Sequence, residues 1–346
     1  MKIWFNKTFS TISAVFSQLK AGYPQGEITI VCTHTHRTAT AFLAADEAYL
    51  EPAELHGQAY IDWAIDFCRE HHIDLYWPGK EAVLACKNRA QFEAAGTRLM
   101  AAADHATLAL LHNKAHFYAD LPKDVALAMD FIAVNEADAF DKAIAQLSAK
   151  HQRLCVKPAV SVYGLGFRIL DRERDSISHL LKGVEYQIPL RELQGGMRHT
   201  PHFDTLLVME HLGGPEWSVD CAARHGELLC AVQRKKSLQT GHGQTIDNEP
   251  DISGMTARLI RHYRLNGLIN IQYKEGESGP RLLEINPRPS GGFGMACLAG
   301  ANLAKIALEA FKGATPQIPP LRYGLKISEI NTPVVLLDES YAPCIV

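Results

Sequence analysis

The first hundred residues alternate between short apolar runs and longer segments in which apolar side chains recur at helical spacing. Short apolar runs predict strands, and a period near 3.6 residues predicts amphipathic helices. Such alternation predicts an open parallel sheet with helices on both faces, where ligands gather at the carboxyl ends of the strands. The predicted strands are residues 2–5, 27–32 and 73–77, and the predicted helices are residues 8–19, 60–72 and 81–89.

Two loops at that carboxyl edge carry candidate ligand-binding residues. The first contains His34 and His36, which with other histidines and cysteines could be drawn as a zinc site. Their spacings match no familiar zinc pattern, so we favour solvated histidines. Arg37 in the same loop and Gly79 in the second loop are better candidates for holding a substrate carboxylate.

The middle of the chain predicts a β-hairpin with phosphate-binding residues. A strand at residues 153–158 ends near Lys157, and a loop containing Ser and Gly leads to a second strand at residues 167–170. A lysine beside such a loop could hold phosphate oxygens by its charge and through backbone N–H groups. A hairpin with one exposed lysine would have the same sequence. Upstream, Lys114 lies in a predicted helix, where a single lysine is usually solvated.

The next segment predicts a nucleotide clamp. An apolar strand runs into Glu210, a Gly-Gly-Pro turn follows, and Glu216 begins a further strand with alternating apolar residues. Backbone groups of residues 210–212 could meet the edge of adenine, and Glu216 could accept the ribose hydroxyls. Two exposed glutamates that flank a turn would look the same.

The segment from Arg281 to Gly292 predicts a metal and phosphate site on one strand. Side chains alternate faces along a strand, so Glu284, Asn286 and Arg288 share one face. A carboxylate and an amide carbonyl are oxygen ligands of the kind that Mg²⁺ prefers. The planar fork of an arginine can neutralise a phosphoryl group, and the prolines on either side of Arg288 end the strand.

The strand just before it predicts the other half of a hairpin. Asn270 and Gln272 alternate with apolar residues, and residues 274–280 have the composition of a turn. If the hairpin closes about Ser278, Gln272 lies opposite Glu284 with Cβ atoms roughly 5 Å apart. Three oxygen-bearing side chains then converge. The alternative is a two-stranded edge with a solvated polar face.

Length, charge and cysteine usage narrow the class of protein. The chain has 346 residues, too many for one simple core, which indicates two or three subdomains. Its net charge of −3, without a basic stripe, gives no reason to expect nucleic acid. No apolar run approaches the ~20 residues that span a bilayer, and the start of the chain has no secretory pattern, so we expect no membrane partner. Eight scattered cysteines without a Cys-x-x-Cys pair indicate thiols in a reducing compartment. A cytoplasmic enzyme is the expected class.

The order of these parts resembles the ATP-grasp superfamily, most strongly its carbamoyl phosphate synthetase and phosphoribosylglycinamide-type branches. It is also similar to the ATP-grasp proteins linked to tellurite-resistance (Ter) operons. The resemblance implies an α/β fold, α+β in the grasp part, with an N-terminal pre-grasp open parallel sheet, a small lid and a C-terminal antiparallel sheet that carries the metal site. The implied boundaries are residues 1–105 for the pre-grasp domain, 106–312 for the ATP-grasp domain, about 120–210 for its lid, about 211–312 for its nucleotide and metal subdomain, and 313–346 for a closing segment.

The resemblance also implies ATP and Mg²⁺ (or Mn²⁺) as cofactors and a role for each candidate residue. The phosphates would be held by Lys114 and Lys157, and the loop over the triphosphate would contain Ser161, Gly164 and Gly166. The adenine hinge would be formed by Glu210, His211 and Leu212, and the ribose would be bound by Glu216. The metal ligands would be Gln272, Glu284 and Asn286, and the catalytic residues would be Arg288 and Lys157. Two features depart from the family: Val162 and Tyr163 replace the usual Gly or Ser, and the hinge-to-Glu216 interval is one residue shorter than in some relatives.

The reaction implied is ATP-dependent joining of a small carboxylate, such as an amino acid, to an amine or thiol through an acyl phosphate. A small-molecule kinase and a non-catalytic ATP-binding module are the alternatives. For the acid substrate the sequence offers Arg37, Arg198 and the basic run at residues 234–236 as candidates, each of which is more often a surface charge. The segment 321–346 predicts either a closing strand or a contact with a second subunit, as in a homodimer.

Overall fold

The computed structural model describes residues 1–8, 11–161, 164–182, 186–200, 202–238, 243–330 and 332–336. Predictions that involve Phe9, Val162, Tyr163, residues 239–242 or residues 337–346 lie outside this part of the chain. The chain forms two compact units. Unit 1 comprises Met1–Ala109, Pro215–Tyr273 and the described residues from Glu284 onward, and unit 2 comprises Leu110–Gly214 and Lys274–Leu283. The boundaries implied by the resemblance stay a prediction.

Unit 1 begins with the predicted parallel sheet, which is confirmed. Its strand order is β3-β2-β1-β4-β5, with every adjacent pair parallel. The strands are β1 (Lys2–Phe5), β2 (Thr29–His34), β3 (Glu47–Leu50), β4 (Leu75–Trp77) and β5 (Arg98–Leu99), and the helices are α1 (Ile12–Gly22), α2 (Gly57–Glu70), α3 (Ala82–Lys87) and α4 (Arg89–Ala94). The single helix predicted at residues 81–89 is wrong in extent. It divides at Asn88, which leaves helical geometry with ψ of 17°.

Aromatic side chains fill one face of this sheet because strand β1 alternates its side chains between two helical layers. Trp4 stacks on Tyr76 with ring centroids 4.2 Å apart and also contacts Phe67 of α2. On the other face, Phe5 packs against Phe16 of α1. The alternating apolar residues of β1 therefore pack against helices on both faces of the sheet.

Unit 2 is built on a mixed five-stranded sheet of order β6-β10-β7-β8-β9. Its core contains Phe140, Val156 and Val208. The helical run predicted around Lys114 breaks at Asn113, whose Oδ1 accepts hydrogen bonds from Ala115 N (3.0 Å) and His116 N (3.2 Å) and so begins a new helix. The elements are α5 (His105–His112, which spans the boundary between the units), α6 (Lys114–Asp120), β6 (Phe131–Val134), α7 (Ala137–Ser148), β7 (Leu154–Pro158), β8 (Arg168–Asp171), α8 (Ser176–Lys182), β9 (Gln187–Pro189), α9 (Leu190–Arg198) and β10 (Leu206–Glu210).

The remainder of unit 1 is built on a six-stranded sheet of order β15-β14-β11-β12-β13-β16. The pairs β11–β12, β12–β13 and β13–β16 are antiparallel. Its core is continuous with that of the N-terminal sheet, since Phe5, Val232 and Phe293 belong to one buried cluster. The elements are β11 (Glu216–Arg224), β12 (Glu227–Lys236), β13 (Gln244–Asp247), α10 (Pro250–His262), β14 (Gly267–Gly276), β15 (Gly279–Asn286), α11 (Phe293–Cys297), α12 (Leu303–Phe311) and β16 (Lys326–Ile327).

Two details of this sheet differ from or refine the predictions. The turn predicted at residues 274–280 is shorter, because β14 extends to Gly276 and β15 begins at Gly279. Strand β16 supplies a closing strand from the C-terminal segment through the pairs Gln244–Ile327 and Thr245–Lys326. In the described part of the chain, no helix combines the length and the apolar character needed to cross a membrane.

Candidate active site

The polar face of β14 and β15 brings together all three residues of the predicted metal set. Asn286 Nδ2 donates to Glu284 Oε1 (2.9 Å) and to Asn270 Oδ1 (3.4 Å). Gln272 Nε2 donates to the same oxygen of Asn270 at 3.3 Å. Asn270 therefore joins Gln272 to Asn286, and Asn286 in turn contacts Glu284. The sequence had placed Asn270 on this face without a role.

The donor chemistry of this set fits a hard divalent cation such as Mg²⁺ or Mn²⁺. The amide nitrogens of Gln272 and Asn286 are occupied by hydrogen bonds to Asn270 and Glu284, so the oxygen of each amide lies on its other branch; that of Asn286 accepts a 3.4 Å hydrogen bond from Arg288 Nη2. With Glu284 these are the carboxylate and amide oxygens that such cations prefer. No group of three or more His, Cys, Asp or Glu side chains that could hold a metal ion occurs among the described residues. A metal site here therefore depends on amide oxygens.

Arg288 follows the strand at the place that the sequence predicted. Its backbone N–H donates to Asn286 O (2.8 Å), which turns the chain after the strand. In its side chain, Nη2 lies 3.4 Å from Asn286 Oδ1 and Nη1 donates to Pro289 O at 3.0 Å. A cationic group thus lies directly beside one predicted metal ligand.

A buried ion pair lies behind the metal set. Arg234 of β12 and Asp220 of β11 are 2% and 1% exposed, and Asp220 Oδ2 accepts from Arg234 Nε (3.0 Å) and Nη2 (2.8 Å). Nη2 also donates to Ser218 Oγ (3.0 Å) and Ser290 Oγ (2.8 Å), and Nη1 donates to Gln244. Arg234 was considered as a ligand for the acid substrate. That prediction is wrong, because the guanidinium is enclosed and already paired.

The ion pair between Arg234 and Asp220 explains why one residue of the loop after Arg288 must be glycine. A Cβ atom on Gly292 would overlap the guanidinium of Arg234, whereas a Cβ on Gly291 would meet nothing within 4 Å. Only the second glycine is therefore required by packing.

The predicted ribose acid, Glu216, forms an ion pair with Lys236. The two residues lie near the paired ends of β11 and β12, where Trp217 faces Lys235. Lys235, the middle residue of the basic run at residues 234–236, also has an acidic neighbour: its Nζ lies 4.0 Å from Asp247 Oδ2, and 42% of its side chain is exposed. Any ligand hydroxyl at Glu216 would share the carboxylate with Lys236.

Both predicted phosphate lysines lie in unit 2, each with a contact that the sequence did not predict. Lys114 is 8% exposed, and its Nζ donates to Ser161 O at 2.8 Å, so it is a buried lysine at the predicted loop rather than a solvated one. Lys157 Nζ donates to Tyr118 Oη at 2.9 Å, and Tyr118 in turn donates to Leu283 O. Tyr118 was missed, although its place one helical turn after Lys114 is a signal that could have found it.

The loop between these lysines and strand β8 turns at glycines. Gly164 and Gly166 both have positive φ, of 67° and 79°. A Cβ on Gly166 would also press on the ring of Pro158 at 2.7 Å. The predicted loop residues therefore form a tight turn at the end of β7, while Val162 and Tyr163 lie outside the described residues.

The predicted adenine hinge has two of its three backbone donors engaged. Glu210 N donates to Asp130 O and His211 N donates to Arg153 O, both at 3.0 Å. Of the backbone N–H groups of this segment, that of Leu212, a buried residue, is therefore the candidate donor to adenine, and the backbone carbonyls of the segment stay candidate acceptors. Burial, together with the charges of Arg153 and Lys274, lowers the pKa of His211 to about 4, so its imidazole is neutral near pH 7.

A cavity of about 520 Å³ in unit 2 adjoins the hinge. His151 lies on its wall, with Nε2 3.0 Å from Asp130 Oδ2 and Nδ1 3.6 Å from Glu210 Oε1. Glu210 therefore faces a polar cavity with its side chain while its backbone stays in the sheet. Further lining residues include Tyr118, Phe131, Lys150 and Arg281.

The crevice beside β1 and β4 in the N-terminal sheet, where an open α/β sheet often binds its ligand, is closed by hydrogen bonds. Asn6 Oδ1 accepts from Gly79 N (2.6 Å), Asn6 Nδ2 donates to Lys80 O (2.8 Å), and Lys80 N donates to Lys7 O (3.0 Å). These hydrogen bonds hold the Gly79 loop against the segment that follows β1, and its role in binding a carboxylate stays a prediction.

The remaining candidates for the acid substrate, Arg37 and Arg198, belong to unit 1 and unit 2 respectively. Arg37 is exposed in the loop after β2, and Arg198 is exposed in the last turn of α9. In the same loop as Arg37, His36 N donates to His34 Nδ1 at 3.0 Å, and burial lowers the pKa of His34. This hydrogen bond occupies one of the two nitrogens that a metal could have used.

The C-terminal part of the chain matches a known protein family. Residues 202–333 match the family described as ATP-grasp in the biosynthetic pathway with Ter operon. This segment contains Glu210 to Glu216 and the complete set Gln272, Glu284, Asn286 and Arg288.

Comparison with individual proteins extends the likeness over nearly the whole chain. The arginine-specific large chain of carbamoyl phosphate synthase from Geobacillus stearothermophilus is 23% identical over 319 residues, which are 88% of this chain but only 28% of that protein. The chain thus spans about a quarter of that relative's length.

Two solved structures share the fold. The ADP complex of an N5-carboxyaminoimidazole ribonucleotide synthetase superposes with a TM-score of 0.66 at 14% identity, covering 94% of this chain and 79% of that one. The biotin carboxylase domain of the Hydrogenobacter thermophilus 2-oxoglutarate carboxylase, solved with MgADP, ADP and bicarbonate, has a TM-score of 0.65 at 13% identity, covering 93% and 72%. Residues 202–333 thus match a family of ATP-grasp proteins, and the likeness to the solved structures shows that the chain has the same fold as these ATP-dependent enzymes.

Proposed function

We propose that the protein is an ADP-forming ligase that joins a carboxylate to an amine or a thiol through an acyl phosphate. The observation that carries this proposal is the set Gln272, Glu284 and Asn286 with Arg288 beside it, in which the two amide nitrogens donate to Asn270 and Glu284 while Arg288 Nη2 lies 3.4 Å from the oxygen of Asn286. A protein that only bound ATP would have no need for a cationic side chain next to the metal ligands. Relatives whose names describe ligases and carboxylases of the same fold support the proposal.

In this reaction a carboxylate oxygen of the substrate forms a bond to the γ-phosphorus of ATP, and the bond from that phosphorus to the bridging oxygen breaks to release ADP. The amine nitrogen then attacks the acyl carbon, inorganic phosphate leaves with the C–O electron pair, and the nitrogen loses a proton. Bound Mg²⁺ would supply positive charge at the phosphate oxygens. The role of the protein is positioning and charge neutralisation rather than covalent chemistry.

The remaining roles follow the resemblance and are part of the proposal. Arg288 stabilises the charge that spreads over the transferring phosphoryl group, and Lys157 and Lys114 hold phosphate oxygens. Lys114 is anchored by Ser161 O and Lys157 by Tyr118, so each ammonium has a fixed starting position. Ser161, Gly164 and Gly166 form the loop over the phosphates, Leu212 contacts the adenine, and Glu216 binds the ribose.

The substrate pair that we propose is an amino acid or small peptide-like acid with an amine. Its cellular setting in the proposal is the cytoplasm. Each of the seven cysteines in the described part of the chain is a free thiol, and six of them are buried, which fits a reducing compartment.

The test is a screen of amino acids and small carboxylates for ATP-dependent release of phosphate, followed by two active-site variants. Glu284→Ala and Arg288→Ala should lower substrate-dependent turnover by roughly 10²–10³-fold or more, because each removes a charged group at the reacting phosphate. Two exposed residues of unit 1 provide matched controls: Glu227→Ala and Arg261→Ala should keep wild-type turnover. Near-wild-type turnover in either active-site variant would refute the roles assigned here.

Product analysis separates the alternatives. A ligase releases inorganic phosphate together with the joined product, a kinase leaves the phosphate on its product, and a binding module releases neither. Detection of a stable phosphorylated acid in the presence of the amine would replace the ligase with the kinase.

A further inference from the structure

Asn270 lies outside the predicted metal set but contacts two of its members. Its side chain is fully buried. At one end, Asn270 Nδ2 donates to Ser218 Oγ (2.9 Å) and lies 3.3 Å from both Val219 O and Asp220 Oδ1. At the other end, its Oδ1 accepts from Gln272 Nε2 (3.3 Å) and Asn286 Nδ2 (3.4 Å). The amide therefore separates three acceptors from two donors.

This arrangement permits only one orientation of the Asn270 amide. If the amide were rotated by 180°, its oxygen would face the carboxylate of Asp220 and the carbonyl of Val219, and its NH₂ group would face two other NH₂ groups. Apart from the contact with Ser218, whose hydroxyl can either donate or accept, every contact would then join two acceptors or two donors. A buried polar group without a partner costs about 1–3 kcal/mol, so the rotated state is strongly disfavoured.

The fixed orientation of the Asn270 amide determines the orientation of the two neighbouring amides. Because Asn270 presents an oxygen, Asn286 and Gln272 must turn their amide nitrogens toward it, and their oxygens occupy the other branch of each amide. Glu284 reinforces this for Asn286 by accepting from the same nitrogen at 2.9 Å. An amide nitrogen cannot bind a hard cation, so this orientation decides whether the two residues can act as ligands.

The orientation is anchored in the buried ion pair. Asp220 accepts hydrogen bonds from Asn270 Nδ2 on Oδ1 and from Arg234 Nε and Nη2 on Oδ2. Ser218, which accepts from Asn270, also accepts from Arg234 Nη2 at 3.0 Å. A carboxylate only accepts hydrogen bonds, so the part of the Asn270 amide that faces Asp220 must be the donating NH₂ group and not the oxygen.

We propose that Asn270 is a positioning residue, which holds Asn286 and Gln272 so that both present an oxygen to the divalent cation. The proposal rests on the proposed function and adds to it a determinant of metal affinity that touches neither metal nor nucleotide. Outer partners of this kind typically contribute 10–100-fold to metal affinity.

The test compares Asn270→Ala with a matched control, Asn266→Ala. Asn266 is also a buried asparagine of unit 1, with Nδ2 donating to Ala101 O (3.1 Å) and Oδ1 accepting from His225 N (3.4 Å), and it has no contact with the metal set among the described residues. The readouts are Mn²⁺ binding by electron paramagnetic resonance at saturating ADP, ADP binding by calorimetry without metal, and the melting temperature.

Asn270→Ala should raise the Kd for Mn²⁺ by about 10–100-fold while the metal-free Kd for ADP stays unchanged. Asn266→Ala should lower the melting temperature and leave the Kd for Mn²⁺ unchanged. Asn270→Ser removes the same acceptor with a smaller cavity and carries the same expectation, so that poor folding of the alanine variant does not end the test.

A second background distinguishes orientation from general loosening. In Asn286→Asp this ligand has an oxygen on both branches and no longer needs to be oriented, so adding Asn270→Ala there should act only through Gln272 and weaken Mn²⁺ binding less than it does in the wild type. An equal loss in both backgrounds, or Mn²⁺ affinity unchanged in Asn270→Ala, overturns the proposal. If the wild type itself binds no Mn²⁺ with ADP, it is the proposed function that fails.

Discussion

Replacing Asp220 with alanine should destabilise unit 1 by about 3–5 kcal/mol, the usual cost of leaving one member of a buried ion pair without its partner. Asp220 accepts from Arg234 Nε (3.0 Å) and Nη2 (2.8 Å) on one oxygen. Its other oxygen lies 3.3 Å from both Ser290 N and Asn270 Nδ2. After the substitution, the guanidinium stays enclosed at 2% exposure with only neutral acceptors among the contacts described above.

The same two strands supply the control. Arg224 and Glu227 also pair an arginine with a carboxylate across β11 and β12, at 2.6 Å, but their side chains are 33% and 57% exposed. Solvent screens such a pair, so Glu227→Ala should cost only about 0.2–1 kcal/mol. Residue types and sheet are therefore matched, and burial is the main difference.

Urea unfolding followed by tryptophan fluorescence is a suitable assay, because Trp4, Trp63, Trp77 and Trp217, the four tryptophans of the sequence, all lie in unit 1. A double variant, Asp220→Leu with Arg234→Met, should recover much of the loss, since two apolar side chains need no counter-charge. The reasoning is refuted if Asp220→Ala and Glu227→Ala shift the unfolding free energy equally, or if the double variant is less stable than Asp220→Ala.

Two further predictions concern a glycine and a histidine. Gly292→Ala should destabilise the protein by about 1–3 kcal/mol because its Cβ would overlap the Arg234 guanidinium. The control, Gly291→Ala, should have little effect, because a Cβ there meets nothing within 4 Å. Thermal melts of both variants check this, and equal melting temperatures would contradict it. The folded-state pKa of His211, about 4, lies below its ordinary value of 6.5, so the unfolded chain binds a proton between these pH values that the folded chain does not, and stability falls as pH is lowered from 6.5 toward 4. His211→Phe should make that fall shallower in urea titrations across this range, and an unchanged slope would show that the imidazole is not desolvated.

The proximity of Glu284, Asn286 and Arg288 could be predicted from the sequence because it depends on a local rule. Side chains two residues apart share a face of a strand, so Glu284, Asn286 and Arg288 were grouped without knowledge of the fold. The same rule put Asn270 beside Gln272. The amide orientation of Asn270 could not be predicted, since it depends on Ser218 and Asp220, which lie about fifty residues earlier in the chain.

Burial of charged residues was the main source of error. Arg234 begins a basic run, which is typical of a surface, yet it is enclosed because the register of β11 and β12 places it opposite Ser218, with Asp220 within reach. Lys114 looked like a solvated lysine, but the cap at Asn113 starts a new helix there and its ammonium reaches Ser161 O. In both cases, a partner that is distant in sequence determines whether a charge can be buried.

The discontinuity of unit 2 has a consequence for anyone who wants to study it in isolation. A recombinant fragment ending at Gly214 would lack the returning segment Lys274–Leu283. In the full chain, Leu282 N donates to Leu127 O at 2.8 Å, and Tyr118 donates to Leu283 O. Excision would remove Leu283 O, the acceptor of Tyr118, whose hydroxyl accepts from Lys157, so such a fragment would misreport nucleotide affinity even if it remained folded. Grafting the missing ten residues back through a short linker is the minimum repair.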